Sequence, residues 1–178
     1  SMRVVKSKNE LLLMKQSADI AAKAHEIAMR KTLPGKYEYQ IEGEVLNQFM
    51  QLGAKDPAYH SIVASGINAC TLHYTENKNL LKDGDLLLID AGCEYELYAS
   101  DITRTYPING KFSEPQKIIY ELVLEAQKAA IAKVTTGNTF DQPHKMALDI
   151  LVQGLIDLEF CQGTVSYTHL RAHETSID

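Results

Sequence analysis

Two aspartates are the residues whose type and spacing most clearly ask for chemistry. Asp90 closes the apolar run Leu86-Leu87-Leu88-Ile89, and Asp101 follows it within the stretch LLLIDAGCEYELYASDITRTY. A carboxylate beside a buried strand is costly to desolvate, so each acid needs water or a positive partner. A hairpin turning at Tyr95-Glu96 sets Asp90 directly opposite Asp101, with Cβ atoms roughly 4.5–5.5 Å apart. At about 5 Å and an effective dielectric near 20, two ionised acids repel by roughly 3 kcal/mol. They can coexist as solvated strand ends, by sharing a proton, or by sharing a hard divalent cation such as manganese or magnesium. Two cations about 3.5–4 Å apart would need such carboxylates as bridges. The weak point of this register is its turn, because nothing at Tyr95-Glu96 favours positive φ.

The elements that must hold these acids can be read along the chain. Ser7 and Glu10 form a capping-box pattern that opens a helix, and Leu12, Leu13, Ile20, Ala24, Ile27 and Ala28 keep its period up to Pro34-Gly35. A second helix is predicted from Glu38 to Leu52, with Gly53 as its stop. HSIVASG and ACTLHYT read as short strands, Lys82–Asp85 as a turn, and Asp85–Cys93 and Leu97–Tyr106 as a strand pair. Ser113-Glu114-Pro115 opens a third helix carrying Ile118, Ile119, Leu122, Val123, Ala126, Ala130 and Val134, and Thr139 is the expected cap of a fourth helix through Leu158. Helices, then strands, then helices predict an α+β fold with helices covering one face of a mostly antiparallel sheet.

Composition narrows the function classes. The chain of 178 residues is long enough for a real core, and 45% hydrophobic with 23% charged residues is that of a globular domain. A net charge of -5 gives no electrostatic footprint for nucleic acid. No apolar run approaches the roughly 20 residues of a membrane span, and the first residues lack the apolar core of a secretory signal. Cys70, Cys93 and Cys161 are too widely spaced for a disulfide framework or a CxxC metal site, and read as reduced cytosolic thiols. The last segment, TVSYTHLRAHETSID, has no helical or strand period. His169 and His173 would share a helix face as zinc ligands can, but the string resembles translated adapter or vector sequence. Residues 164–178 are therefore expected to be non-native, leaving 1–163 as the domain.

LHYTEN (Leu72 to Asn77), DGDLLLIDAGCEY (Asp83 to Tyr95) and DITRTYPINGKF (Asp101 to Phe112), together with the MRVVKS start, resemble the bacterial Xaa-Pro aminopeptidase family, aminopeptidase P. The resemblance covers about residues 2–162. It implies the first half of a pita-bread fold, in which two α+β halves clasp a dinuclear metal site. By that resemblance Asp90 ligates one manganese and Asp101 bridges both, while His73 contacts the substrate or the developing oxyanion. Without it, a lone histidine beside a strand is an ordinary structural histidine. Thr103 and Arg104 would support the ligands, or Arg104 would make a plain surface salt bridge. The implied reaction is attack by metal-activated water on an Xaa-Pro peptide bond, releasing the first residue of a peptide with proline at its second position. A cytoplasmic homo-oligomer is implied for the intact protein.

The family's remaining ligands, a histidine and two glutamates of the second half, have no match in this sequence, and His144 reads as helix surface. The expectation is a chain truncated at both ends, inactive alone, with an apolar face left open where the second half belongs. Prolidase and methionine aminopeptidase are the related alternatives. A metal-free pita-bread module that binds peptides or proteins is the alternative from another class, and it has no use for opposed acids.

Overall fold

A computed structural model describes residues 4–160. The capping box forms as the sequence predicts: the Ser7 amide donates to Glu10 Oε2 at 2.6 Å, and the Glu10 amide to Ser7 Oγ at 3.3 Å. It opens helix α1 (Lys8–Lys31), followed by α2 (Glu38–Gln51). Strands β1 (Asp56–Pro57) and β2 (Ile62–Ser65) lead into a 3-10 turn over Gly66–Cys70. Then come β3 (Leu86–Ala91), β4 (Cys93–Tyr95), β5 (Tyr98–Ala99) and β6 (Ile102–Pro107), and finally α3 (Glu114–Ala132) and α4 (Gln142–Asp157). The fold is α+β, with antiparallel sheets ordered β1-β4-β5 and β2-β3-β6.

The chain divides into two compact units after Phe112. In the first, α1 and α2 bury Ile20, Ala21, Ala24, Ala28, Ile41, Val45 and Phe49 against Val63, Leu87, Ile89 and Ala91 of the sheet. Burial alternates along β3, so Leu87, Ile89 and Ala91 face this core while Leu86, Leu88 and Asp90 lie half-buried on the other face. This is why an acid can end so greasy a strand: Asp90 is on the outer side of the pleat. In the second unit α3 packs on α4, so closely that a Cβ on Gly154 would sit 2.2 Å from the Leu122 side chain. Ala126 is the one fully buried residue of these two helices.

Three expectations are corrected. ACTLHYT is not a strand; Gly66–Cys70 forms the 3-10 turn and the rest is a loop. The fourth helix is capped at Asp141, not Thr139, whose amide and hydroxyl instead bond Gln142 and Asp141. The Asp90–Asp101 register also differs, as described next. The tail 164–178, with His169 and His173, lies outside the described residues, as does Cys161; Cys70 and Cys93 are free thiols.

Candidate metal centre

The strand pair turns one residue later than expected. Tyr95 pairs with Tyr98, so Glu96 and Leu97 form the two-residue loop, at φ 50° and 70°. Positive φ at both positions is the signature of a type I′ hairpin turn, here made by residues that do not favour it. Moving the turn by one residue moves every cross-strand partner by two. Asp90 therefore faces Thr103, not Asp101, and continuing the ladder past Ala91–Ile102 puts Gly92 opposite Asp101. A two-residue shift preserves the face, so Asp90 and Asp101 remain diagonal neighbours on the outer side of the sheet. Arg104 pairs with Ile89, one step out of phase with Asp90, and its guanidinium donates to the Thr103 carbonyl.

Gly92 allows this close approach. A Cβ there would stand 1.7 Å from the Ser100 carbonyl oxygen and 3.1 Å from the Asp101 amide nitrogen. Only a residue without a side chain lets the strand carrying Asp101 lie against the one carrying Asp90. Behind them, the buried His25 Nε2 lies 3.0 Å from the Ala91 carbonyl, and burial holds this histidine below its usual pKa.

Tyr59, which the sequence reading missed, joins the two acids. Its hydroxyl donates to Asp90 Oδ1 at 2.6 Å and lies 2.9 Å from Asp101 Oδ1. The backbone explains its placement. The Ala58 amide donates to the Gly92 carbonyl, and Ile62 pairs with Asp90. Four steps from Ala58 to Ile62 thus oppose two steps from Gly92 to Asp90, and the surplus bulges Tyr59 over the carboxylates. Burial, then the bonds to Asp90 and Asp101, push its phenol far above the usual tyrosine range. A tyrosine hydroxyl has one proton. It can satisfy one of these two contacts at a time, which leaves the other carboxylate oxygen to water at the exposed Asp101, to a shared acid proton or to a cation.

The donor set fits a hard divalent cation in kind, since carboxylate oxygens suit such ions. It supplies only part of a shell of about six donors. Among the described residues no group of three or more His, Cys, Asp or Glu gathers to hold a metal. His73 is exposed, at φ 52°, and no hydrogen bond joins it to either aspartate. It lies in the loop after the 3-10 turn. Asn77 ties that loop to the segment carrying Tyr59, accepting from the Val63 amide at 3.0 Å and donating to the Ser61 carbonyl at 2.9 Å. His144 is exposed on α4.

Residues 12–177 match Metallopeptidase family M24. The chain belongs to that family. It is 54% identical over 164 residues to an Xaa-Pro aminopeptidase of Haemophilus influenzae, and 45% identical to one of Escherichia coli. Each alignment covers 92% of this chain, but only 38% and 37% of those M24 relatives. Among solved structures it superimposes on Pseudomonas aeruginosa aminopeptidase PepP with a TM-score of 0.91 at 49% identity, covering 92% of this chain and 37% of that one. A zinc-substituted E. coli aminopeptidase P in complex with product matches with a TM-score of 0.90 at 44% identity, with the same coverage. The M24 chain therefore spans a little over a third of the length of these relatives. Among its described residues no helix is long and apolar enough to cross a membrane.

Proposed function

We propose that this chain is the first half of the catalytic domain of an Xaa-Pro aminopeptidase, and that Asp90 and Asp101 are its contribution to a dinuclear manganese site. The observation that carries the reading is the single Tyr59 hydroxyl set between the two carboxylates, an arrangement that gathers both acids and leaves acceptor oxygens open to a cation. Bound metal would supply Lewis-acid polarisation of a peptide carbonyl and acidify water. The chain's own residues do the rest of what falls to this half. Gly92 fixes the spacing of the acids, Tyr59 orients Asp90 and Asp101, and the end of β3 and the residue leading into β6 present them. His73 contacts the substrate, a peptide with proline at its second position, from an exposed loop tied beside β2.

The half-filled donor set supports a second statement: the 178-residue chain alone is inactive, because its acids await a histidine and glutamates from a second half. The tail 164–178 is proposed as non-native and 1–163 as the domain's first part. The intact protein is read as cytoplasmic, in keeping with the free thiols of Cys70 and Cys93, and as a homo-oligomer by the family resemblance. The test is hydrolysis of an Xaa-Pro peptide by the full-length protein and its Asp101→Asn variant. Manganese-dependent release of the first residue, abolished in the variant, is expected. Activity that survives the substitution or needs no metal would overturn the reading, and no activity with any peptide would favour a binding module.

A further inference from the structure

Glu38 is the most heavily bonded side chain among the described residues, and nothing in the reaction uses it. It stands in the first turn of α2, fully buried, at 0% exposure. None of the ion pairs among the described residues involves it. Its charge is met instead by five neutral donors. Oε1 accepts from the Ser65 amide and hydroxyl, both at 2.7 Å, and from Asn68 Nδ2 at 3.1 Å. Oε2 accepts from Tyr74 Oη at 2.7 Å and the Asn79 amide at 2.9 Å. Burial would raise this carboxyl's pKa, but the donors outweigh it and hold the group below its ordinary value.

The donors are not scattered. Ser65 and Asn79 are the two ends of the segment that carries His73, and Asn68 and Tyr74 are points within it. Tyr74 is the residue next to His73. The His73 imidazole has no hydrogen-bond partner of its own among the described residues, so its position depends on the backbone around it. That backbone is strained, with positive φ at His73 and Asn77. A buried charge with five neutral donors is an expensive way to close a loop. It is useful where the loop must hold one shape.

We propose that Glu38 is a positioning residue, a buried anionic clamp that fixes the Ser65–Asn79 loop so that His73 meets the substrate. This rests on the reading of His73 given above. Glutamine has nearly the same shape but offers one acceptor oxygen, and its amide NH2 would face donors at one end of the clamp. Misplacement of a contacting group by about 1 Å can cost on the order of a hundredfold in rate.

The experiment is a double-mutant cycle in the full-length protein, comparing kcat/KM for an Xaa-Pro peptide in wild type, Glu38→Gln, His73→Ala and the double variant. Expected are losses on the order of tenfold or more in each single variant, with Glu38→Gln costing nothing further once His73 is gone. Equal losses from Glu38→Gln in both backgrounds would mean a role in stability alone and would overturn the proposal. A wild-type kcat/KM in Glu38→Gln would overturn it too. If His73→Ala is without effect, the reading of His73 is what fails, and the clamp's purpose with it. Should Glu38→Gln not fold, Tyr74→Phe removes one donor from the clamp and enters the same cycle. Faster amide exchange confined to residues 66–79 in the variant is the accompanying structural signature.

Discussion

Replacing Gly92 by alanine tests the strand geometry on which the site depends. The new Cβ would meet the Ser100 carbonyl oxygen at 1.7 Å and its carbon at 2.5 Å. Both are backbone atoms, so no side-chain rotation relieves the contact, and the two strands must part. Parting strains the Ser100 amide bond to the Cys93 carbonyl and the Ala58 amide bond to the Gly92 carbonyl, each 2.9 Å long. Two such bonds contribute about 1 kcal/mol each, and overpacking a tight site costs about 1–3 kcal/mol more. The sum is about 3–5 kcal/mol. With a urea m-value of about 2 kcal/mol/M, the midpoint should fall by about 1.5–2.5 M. The assay is urea unfolding of the 178-residue chain at micromolar concentration, followed by far-UV circular dichroism. A midpoint within about 0.3 M of wild type would refute the close approach at Gly92, and with it the diagonal placement of Asp90 and Asp101.

Three further outcomes follow from the same structure. Leu97→Gly should stabilise the protein by about 1 kcal/mol in thermal melts, because an exposed leucine at φ 70° pays the left-handed penalty that glycine avoids. Tyr59→Phe removes the one proton between the carboxylates and should lower metal-free stability by about 1.5–3 kcal/mol, as for a hydrogen bond to a charged group; denaturant titration in the presence of a chelator measures it. Glu38 has a folded pKa below its unfolded one, so its stabilising contribution is complete above the unfolded value of about 4.3 and is lost as pH falls through the folded value. Unfolding curves taken between neutral pH and pH 3 should therefore show less acid destabilisation in Glu38→Gln than in wild type.

Much of the scaffold was legible because its signals are local. The Ser7–Glu10 capping box, the stops at Pro34-Gly35 and Gly53, and the Ser113-Glu114-Pro115 start each act within one helical turn, and each marks a helix end in the structure. The two acids could be placed on one sheet face even with the wrong turn, because any one-residue displacement of a hairpin turn shifts partners by two. The turn itself was hidden, since Glu96-Leu97 carries no Gly or Asn and its positive φ values are imposed by the paired strands on either side. Tyr59 was out of reach for another reason. Its position depends on two surplus residues between Ala58 and Ile62, which appear only when the partner strand is counted. ACTLHYT has strand-like composition, yet it lies within the stretch from Ser65 to Asn79, whose two end amides both donate to Glu38, distant in sequence, and close the stretch as a loop.

The most direct test of the central claim is manganese titration of the full-length protein and of its Asp90→Asn and Asp101→Asn variants, followed by electron paramagnetic resonance of free and bound metal. The account predicts two manganese ions per wild-type chain with a spin-coupled signal, loss of one ion in Asp90→Asn, and loss of the coupled signal in Asp101→Asn. Unchanged stoichiometry and coupling in both variants would contradict it, leaving Asp90 and Asp101 as solvated strand acids joined by a tyrosine.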